Sequence, residues 1–218
     1  MEALNEVYWI KGFHAEVSGE AFGRLMQMAG AREEWLDAVY WRADALGGMC
    51  PCPVPLFEWG AGPLSDHHLL QAAAWAILSG ERHLLAVGTG DNHFALLASP
   101  QAVGRYNLMP EVRLTARCGG LADSRLELGV NIQRALQACS YAPEDIAVLG
   151  AQGFSTRGDF AAAFVNARTS APASQNGLGA VGALNALAQD LMSHKTRLGL
   201  LVGARLPGIY LATLLERI

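Results

Sequence analysis

Residues 69–99, LLQAAAWAILSGERHLLAVGTGDNHFALLAS, and residues 184–214, LNALAQDLMSHKTRLGLLVGARLPGIYLATL, are related by a constant shift of 115 residues without a gap. The shift places Leu69 on Leu184, Ala73 on Ala188, Arg82 on Arg197, Val87 on Val202, Gly88 on Gly203 and Leu96 on Leu211. The start of each copy is rich in Ala and Leu, which favour helix, whereas LLAVG and LGLLVG are continuous apolar runs suited to a strand covered on both faces. Each copy therefore reads as helix, short turn, strand, hairpin, strand, and repetition of this kind governs the reading of the whole chain.

Weaker repetition extends upstream. Glu6-Val7-Tyr8-Trp9-Ile10 is similar to Glu111-Val112-Arg113-Leu114-Thr115, and Trp35 to Val39 is similar to Pro143 to Val148. Strands alternating with helices imply an α/β sheet covered by helices, and two such halves imply a layered arrangement. The spacing predicts halves at 1–104 and 105–218, joined through SPQAVGRYNLMP at 99–110, which supplies turn residues. Two stretches rich in Gly, Pro and small residues, 44–55 (DALGGMCPCPVP) and 168–180, read as loops.

The 218 residues are 51% hydrophobic and 17% charged, enough to bury a core and too apolar for a disordered chain. The formal charge of -4, without a run of Lys or Arg, excludes a nucleic acid partner. MEALNEVYWIKGFH lacks the features of a secretory leader, and no apolar run is long enough for a membrane span, so a cytoplasmic location is expected. Cys50, Cys52, Cys118 and Cys139 include one C-x-C pair with no second pair at zinc spacing, so reduced structural thiols and no metal are expected.

Three ordered blocks carry a family resemblance. DIAVLGAQGFSTRGD at 145–159 resembles the β-ketoacyl synthase segment D-I-D-x-V-x-A-H-G-T-x-T-x-x-G-D, with one residue fewer. NGLGAVGALNAL at 176–187 resembles H-x-x-G-A-A-G-A-x-E-A-I, and SDHHLLQAAAWAILSGERHLLAVG at 65–88 resembles the nucleophile block, its helix and the strand that follows. The chain is thus similar to the β-ketoacyl synthase and thiolase superfamily from about residue 60 onward. The resemblance implies a duplicated thiolase-like fold, its two pseudo-symmetric halves stacked as helix, sheet, helix, sheet, helix.

The same resemblance implies where the chemistry would sit and what has replaced it. Asp66 stands at the nucleophilic cysteine, Gln152 and Asn176 at the two histidines, and Ala171 at the lysine. The Gly-Phe-Gly-Gly loop falls on Arg205-Leu206-Pro207-Gly208, where only Gly208 persists, and a thiolase's second cysteine would fall near Val202. A carboxylate is a good N-cap for a helix over 67–80 but a poor acyl nucleophile, and amides cannot take up a proton near neutral pH. Replacement of the whole unit points to a degenerate member without catalysis, retaining Asp66, Gln152, Asn176 and Gly208 as remnants of a substrate pocket.

Other features have plainer readings. Adjacent His67 and His68 diverge by about 100° on a helix and do not chelate one ion together. GTGDN at 88–92 is a hairpin turn and not a phosphate loop, Ser155 and Thr156 lack a triad at motif spacing, and no cofactor is indicated. Trp9, Trp35, Trp41, Trp59 and Trp75 read as core or interface anchors.

The expected role is a partner or chain-length-factor-like subunit in fatty-acid or polyketide-type biosynthesis. It would form a homodimer, or a heterodimer with a full-length β-ketoacyl synthase, and meet an acyl carrier protein. By resemblance, the interface strand is Pro55-Leu56-Phe57-Glu58-Trp59-Gly60. The alternatives are a module that holds an acyl thioester or acyl carrier without turning it over, and a decarboxylase or thioester hydrolase with Asp66 as base.

Overall fold

Successive residues of the strand Leu84–Gly88 go to opposite cores, Leu84 and Ala86 to one and Leu85 and Val87 to another. The computed structural model describes residues 6–14, 21–42, 55–59, 64–89, 93–153, 159–170 and 179–218. The first half carries β1 (Val7–His14), α1 (Ala21–Met28), β2 (Ala38–Arg42), β3 (Leu56–Trp59), α2 (Ser65–Leu78), β4 (Leu84–Gly88), β5 (His93–Ala98) and α3 (Pro100–Tyr106). The second carries β6 (Val112–Ala122), α4 (Arg125–Ala138), β7 (Ile146–Gln152), α5 (Asp159–Ala162), β8 (Arg168–Thr169), α6 (Ala180–Ser193), β9 (Leu198–Ala204) and β10 (Gly208–Arg217). A 3-10 turn precedes both β2 and β7, at Glu33–Trp35 and Pro143–Asp145, matching the upstream repetition.

The described strands form one ten-stranded sheet in the order β3-β2-β4-β5-β1-β6-β10-β9-β7-β8. Numbered within its own half, each set of five runs 3-2-4-5-1, with the fifth strand antiparallel to both neighbours. The 115-residue shift persists in the coordinates: α2 and α6 start at Ser65 and Ala180 and end at Leu78 and Ser193, and β5 and β10 start at His93 and Gly208. The seam between halves is a short antiparallel ladder, Val7 opposite Leu114, Tyr8 opposite Arg113 and Trp9 opposite Val112.

Three cores define five layers. One outer core packs β4 and β5 against Leu25 and Met26 of α1 and Ala102 of α3, and another packs β9 and β10 against Leu128, Ile132 and Leu136 of α4. Between the sheet halves lies a central core built on α2 and α6, with Leu69, Leu70, Ala73 and Ala74 meeting Val181, Leu184, Leu187 and Ala188. Every residue of β4 and β9 is buried, as continuous apolar runs require. Inside this core Asn185 Oδ1 accepts from Trp9 Nε1 at 2.9 Å, and Asn185 Nδ2 donates to the Phe94 carbonyl at 2.8 Å.

The segment 99–110 departs from the turn that its composition suggested. Ser99 accepts from the Ala102 N–H and Pro100 opens the first turn, so α3 forms, and the chain reverses only at Asn107, whose φ is 52°. The boundary expected at 104 and 105 lies within this helix.

Candidate active-site region

Leu64, with φ 58° and ψ 18°, precedes α2 in a left-handed turn. The helix begins at Ser65, two residues earlier than the expected 67, and its N-cap is Leu64, whose side chain makes no capping hydrogen bond. Asp66 is therefore not the N-cap. It lies in the first turn, 8% exposed, where its carboxylate still complements the positive end of the helix dipole. The C-terminal end also moves, to Leu78, because Gly80 with φ 77° stops the helix.

The residue that reaches across to the second half is His67. Its Nε2 lies 2.6 Å from Oε1 of Gln152, the last residue of β7. The ring also covers Gly203 of β9, where an added Cβ would stand 2.3 Å from His67 Nε2. Burial drives the His67 pKa down to about 4 and outweighs the Gln152 hydrogen bond, so the imidazole is neutral near pH 7. With Oε1 as acceptor, the ring proton is on Nε2.

The end of β7 is pinned from its other side. Gly153 has φ 79°, and a Cβ there would come within 2.3 Å of the Ala204 carbonyl oxygen, so only glycine fits. Gly208, φ 138°, opens β10 after the hairpin that follows Ala204, where the Arg205 N–H donates to the Ile209 carbonyl at 3.0 Å. Asn176 and Ala171 lie outside the described residues, which resume at Gly179 just before α6.

Of the expected positions, Gln152 is thus at the convergence of α2, β7 and β9, and Asp66 directly precedes His67, which meets Gln152 there. Gly208 belongs to the adjoining hairpin. His67 was not anticipated there, although a signal existed: residues 67, 70, 74 and 77 share one helical face, and Leu70, Ala74 and Ile77 are apolar. All four are buried, whereas His68 turns away into a depression that it lines with Trp75.

The two cysteines of the described residues lie on other elements. Cys118 and Cys139 are free thiols, and burial, with Cys139 nearby, pushes Cys118 up to about 11, which keeps it protonated. Cys50 and Cys52 lie outside the described residues. Among the described residues no three His, Cys, Asp or Glu side chains are placed to hold a metal ion, and no helix is long and apolar enough to cross a membrane.

The arrangement is that of a thiolase-like fold. The chain superposes on human mitochondrial 3-ketoacyl-CoA thiolase and on Bacillus anthracis acetyl-CoA acetyltransferase, each with a TM-score of 0.74 and 9% identity over 100% of both chains. It also superposes on a tetronic acid condensing enzyme, with a TM-score of 0.67 and 14% identity over 94% of this chain and 86% of that one. No protein-family model and no curated protein matches the sequence. The shared strand order and the superpositions establish the fold, which the short motifs at 65–88, 145–159 and 176–187 had indicated.

Proposed function

We propose that the protein is a non-catalytic thiolase-fold subunit that pairs with a full-length β-ketoacyl synthase, or with itself, in fatty-acid or polyketide-type biosynthesis in the cytoplasm. The observation that carries this reading is the His67 imidazole, buried and neutral, seated on Gly203 and bonded to Gln152 where the α2 N-terminus meets β7 and β9. By the resemblance, this is where a thiolate would attack an acyl thioester. The neighbouring Asp66 can form only a labile anhydride, and Gln152 cannot exchange a proton. The seated ring also weighs against a pocket that holds a thioester.

The strand that supports pairing in this reading is β3, at the edge of the described sheet beside β2. Phe57 on this strand is 39% exposed and stacks on Tyr40 at 4.8 Å, with Arg82 above its ring. An edge strand offers unpaired backbone groups along one side, and a partner's strand satisfies them while covering Phe57. An acyl carrier protein would then meet the assembled pair and not this chain alone.

Light scattering on the purified chain, alone and mixed with synthases of the same pathway, tests the proposal. A dimeric mass lost in Phe57→Lys, with no turnover of malonyl or acyl thioesters, is the expected result. A chain that stays monomeric with every synthase, or that turns thioesters over in a manner abolished by Asp66→Ala, overturns it.

A further inference from the structure

Arg117 of β6 borders two adjoining spaces. One is a cavity of about 250 Å³ beneath α4, walled by Ile132, Leu136, Leu200, Ala212 and Leu214. The other is a wider depression of about 740 Å³ between β6 and α2, bordered by His68 and Trp75, and the two share Ala116, Arg117, Cys118 and Cys139. Trp75 is 68% exposed there, although α2 is otherwise largely buried.

Arg117 contrasts with the arginines around it. Arg113 and Arg197 both bind the Glu216 carboxylate, at 2.8 and 2.9 Å, and Arg168 binds Asp190. Among the described residues no carboxylate pairs with Arg117, and burial alone acts on it, drawing its pKa down. A guanidinium does not give up its proton in a protein, so drawing it partly out of water without a counter-ion is unfavourable, and an anion from outside relieves that.

We propose that this cavity binds a medium-chain carboxylate, its head on Arg117 and its chain between α4 and the outer face of β9 and β10. The apolar walls call for an apolar body, and 250 Å³ holds roughly eight water-sized groups at ~30 Å³ each. A single guanidinium fork matches the two oxygens of a monoanionic carboxylate, whereas a phosphate needs more donors than this site offers. The cavity lies on the face of β9 opposite His67, since Leu200 and Val202 point to the outer core while Gly203 meets His67, so its occupancy is independent of the pairing proposed above.

Calorimetric titration of the full chain with octanoate and with octan-1-ol tests this site. Octanoate is expected to bind once per chain, and Arg117→Gln to weaken it roughly tenfold or more while leaving octan-1-ol unchanged. Ala135→Phe, which fills the cavity, is expected to abolish both, with Ala138→Leu at the same wall as the substitute should that variant not fold. Absence of octanoate binding at millimolar ligand, equal affinity in Arg117→Gln, or full binding in the filled variant overturns the proposal.

Discussion

His67 Nε2 and Gln152 Oε1, 2.6 Å apart, connect the N-terminus of α2 in one half to the end of β7 in the other. Burial holds the ring neutral against the pull of this bond, so the site is coupled to pH. His67 is held at about 4 in the folded chain against 6.5 ordinarily. The unfolded chain binds the extra proton between those values, so stability is complete above pH 6.5 and declines as pH falls toward 4, by about 3 kcal/mol in all. Thermal melts across pH 4 to 8 should show this decline in the native chain and lose it in His67→Gln.

A second acid transition belongs to Glu216. Burial acts to raise its pKa, but hydrogen bonds from Arg113 and Arg197 outweigh burial and hold it below 4.5. Its contribution is therefore present above pH 4.5 and is lost as pH falls through the depressed value. Glu216→Gln should cost roughly 1–3 kcal/mol in denaturant melts at pH 7, moderated because Arg197 is largely exposed, and should flatten the profile below pH 4.5 without altering the His67 limb.

Two glycines give opposite outcomes on replacement by alanine. Gly203→Ala drives a methyl to 2.3 Å from His67 Nε2 and should destabilise by about 1–3 kcal/mol. Gly104, in α3, has nothing within 4 Å of the new methyl, so Gly104→Ala should stabilise by about 0.5–1 kcal/mol. Urea midpoints of the two variants, measured side by side, would refute the seated-ring geometry if Gly203→Ala were neutral.

Asn185 is 4% exposed and satisfies Trp9 Nε1 and the Phe94 carbonyl at once. Asn185→Leu should cost about 1–3 kcal/mol for each group it orphans. In a double-mutant cycle, Trp9→Phe should recover part of that loss, because it removes one orphan. Additive losses would show that the bond carries no coupling.

The fold was legible in particular places for physical reasons. The apolar runs at 84–88 and 198–204 and the Ala- and Leu-rich helices before them serve one central core from both halves, so both copies preserve the pattern and a gap-free shift exposes it. The α2 boundary was less legible: a leucine stands in the left-handed region before Ser65, a conformation that residues with a branched side chain rarely adopt and that no local signature announces. Residues 99–106 were read as a turn because Ser, Pro and Gly also punctuate loops, whereas here Ser99 and Pro100 start a helix. Trp75, read as an anchor, is exposed at the wider depression, while Trp9 and Trp41 are buried.

At the centre, the motif blocks led to Gln152 and to the neighbourhood of Asp66, but not to His67. Helical phase alone would have turned residue 67 inward, yet its partner lies 85 positions away, and no local spacing reports such a contact. The Trp9 bond to Asn185 spans 176 positions and was hidden for the same reason.

Tyr8 and Arg113 hold equivalent places in the repeated segments, and they also face each other across the seam, so the axis relating the two halves runs between them. Two separate copies meeting on such an axis would be compelled to set identical side chains against one another there. Joining them into one polypeptide lifts that compulsion. An aromatic hydroxyl and a guanidinium now share one acid, Glu6, while its counterpart Glu111 has turned to Lys11. The single chain thus owns a kind of asymmetry at its own centre that no assembly of like subunits can reach.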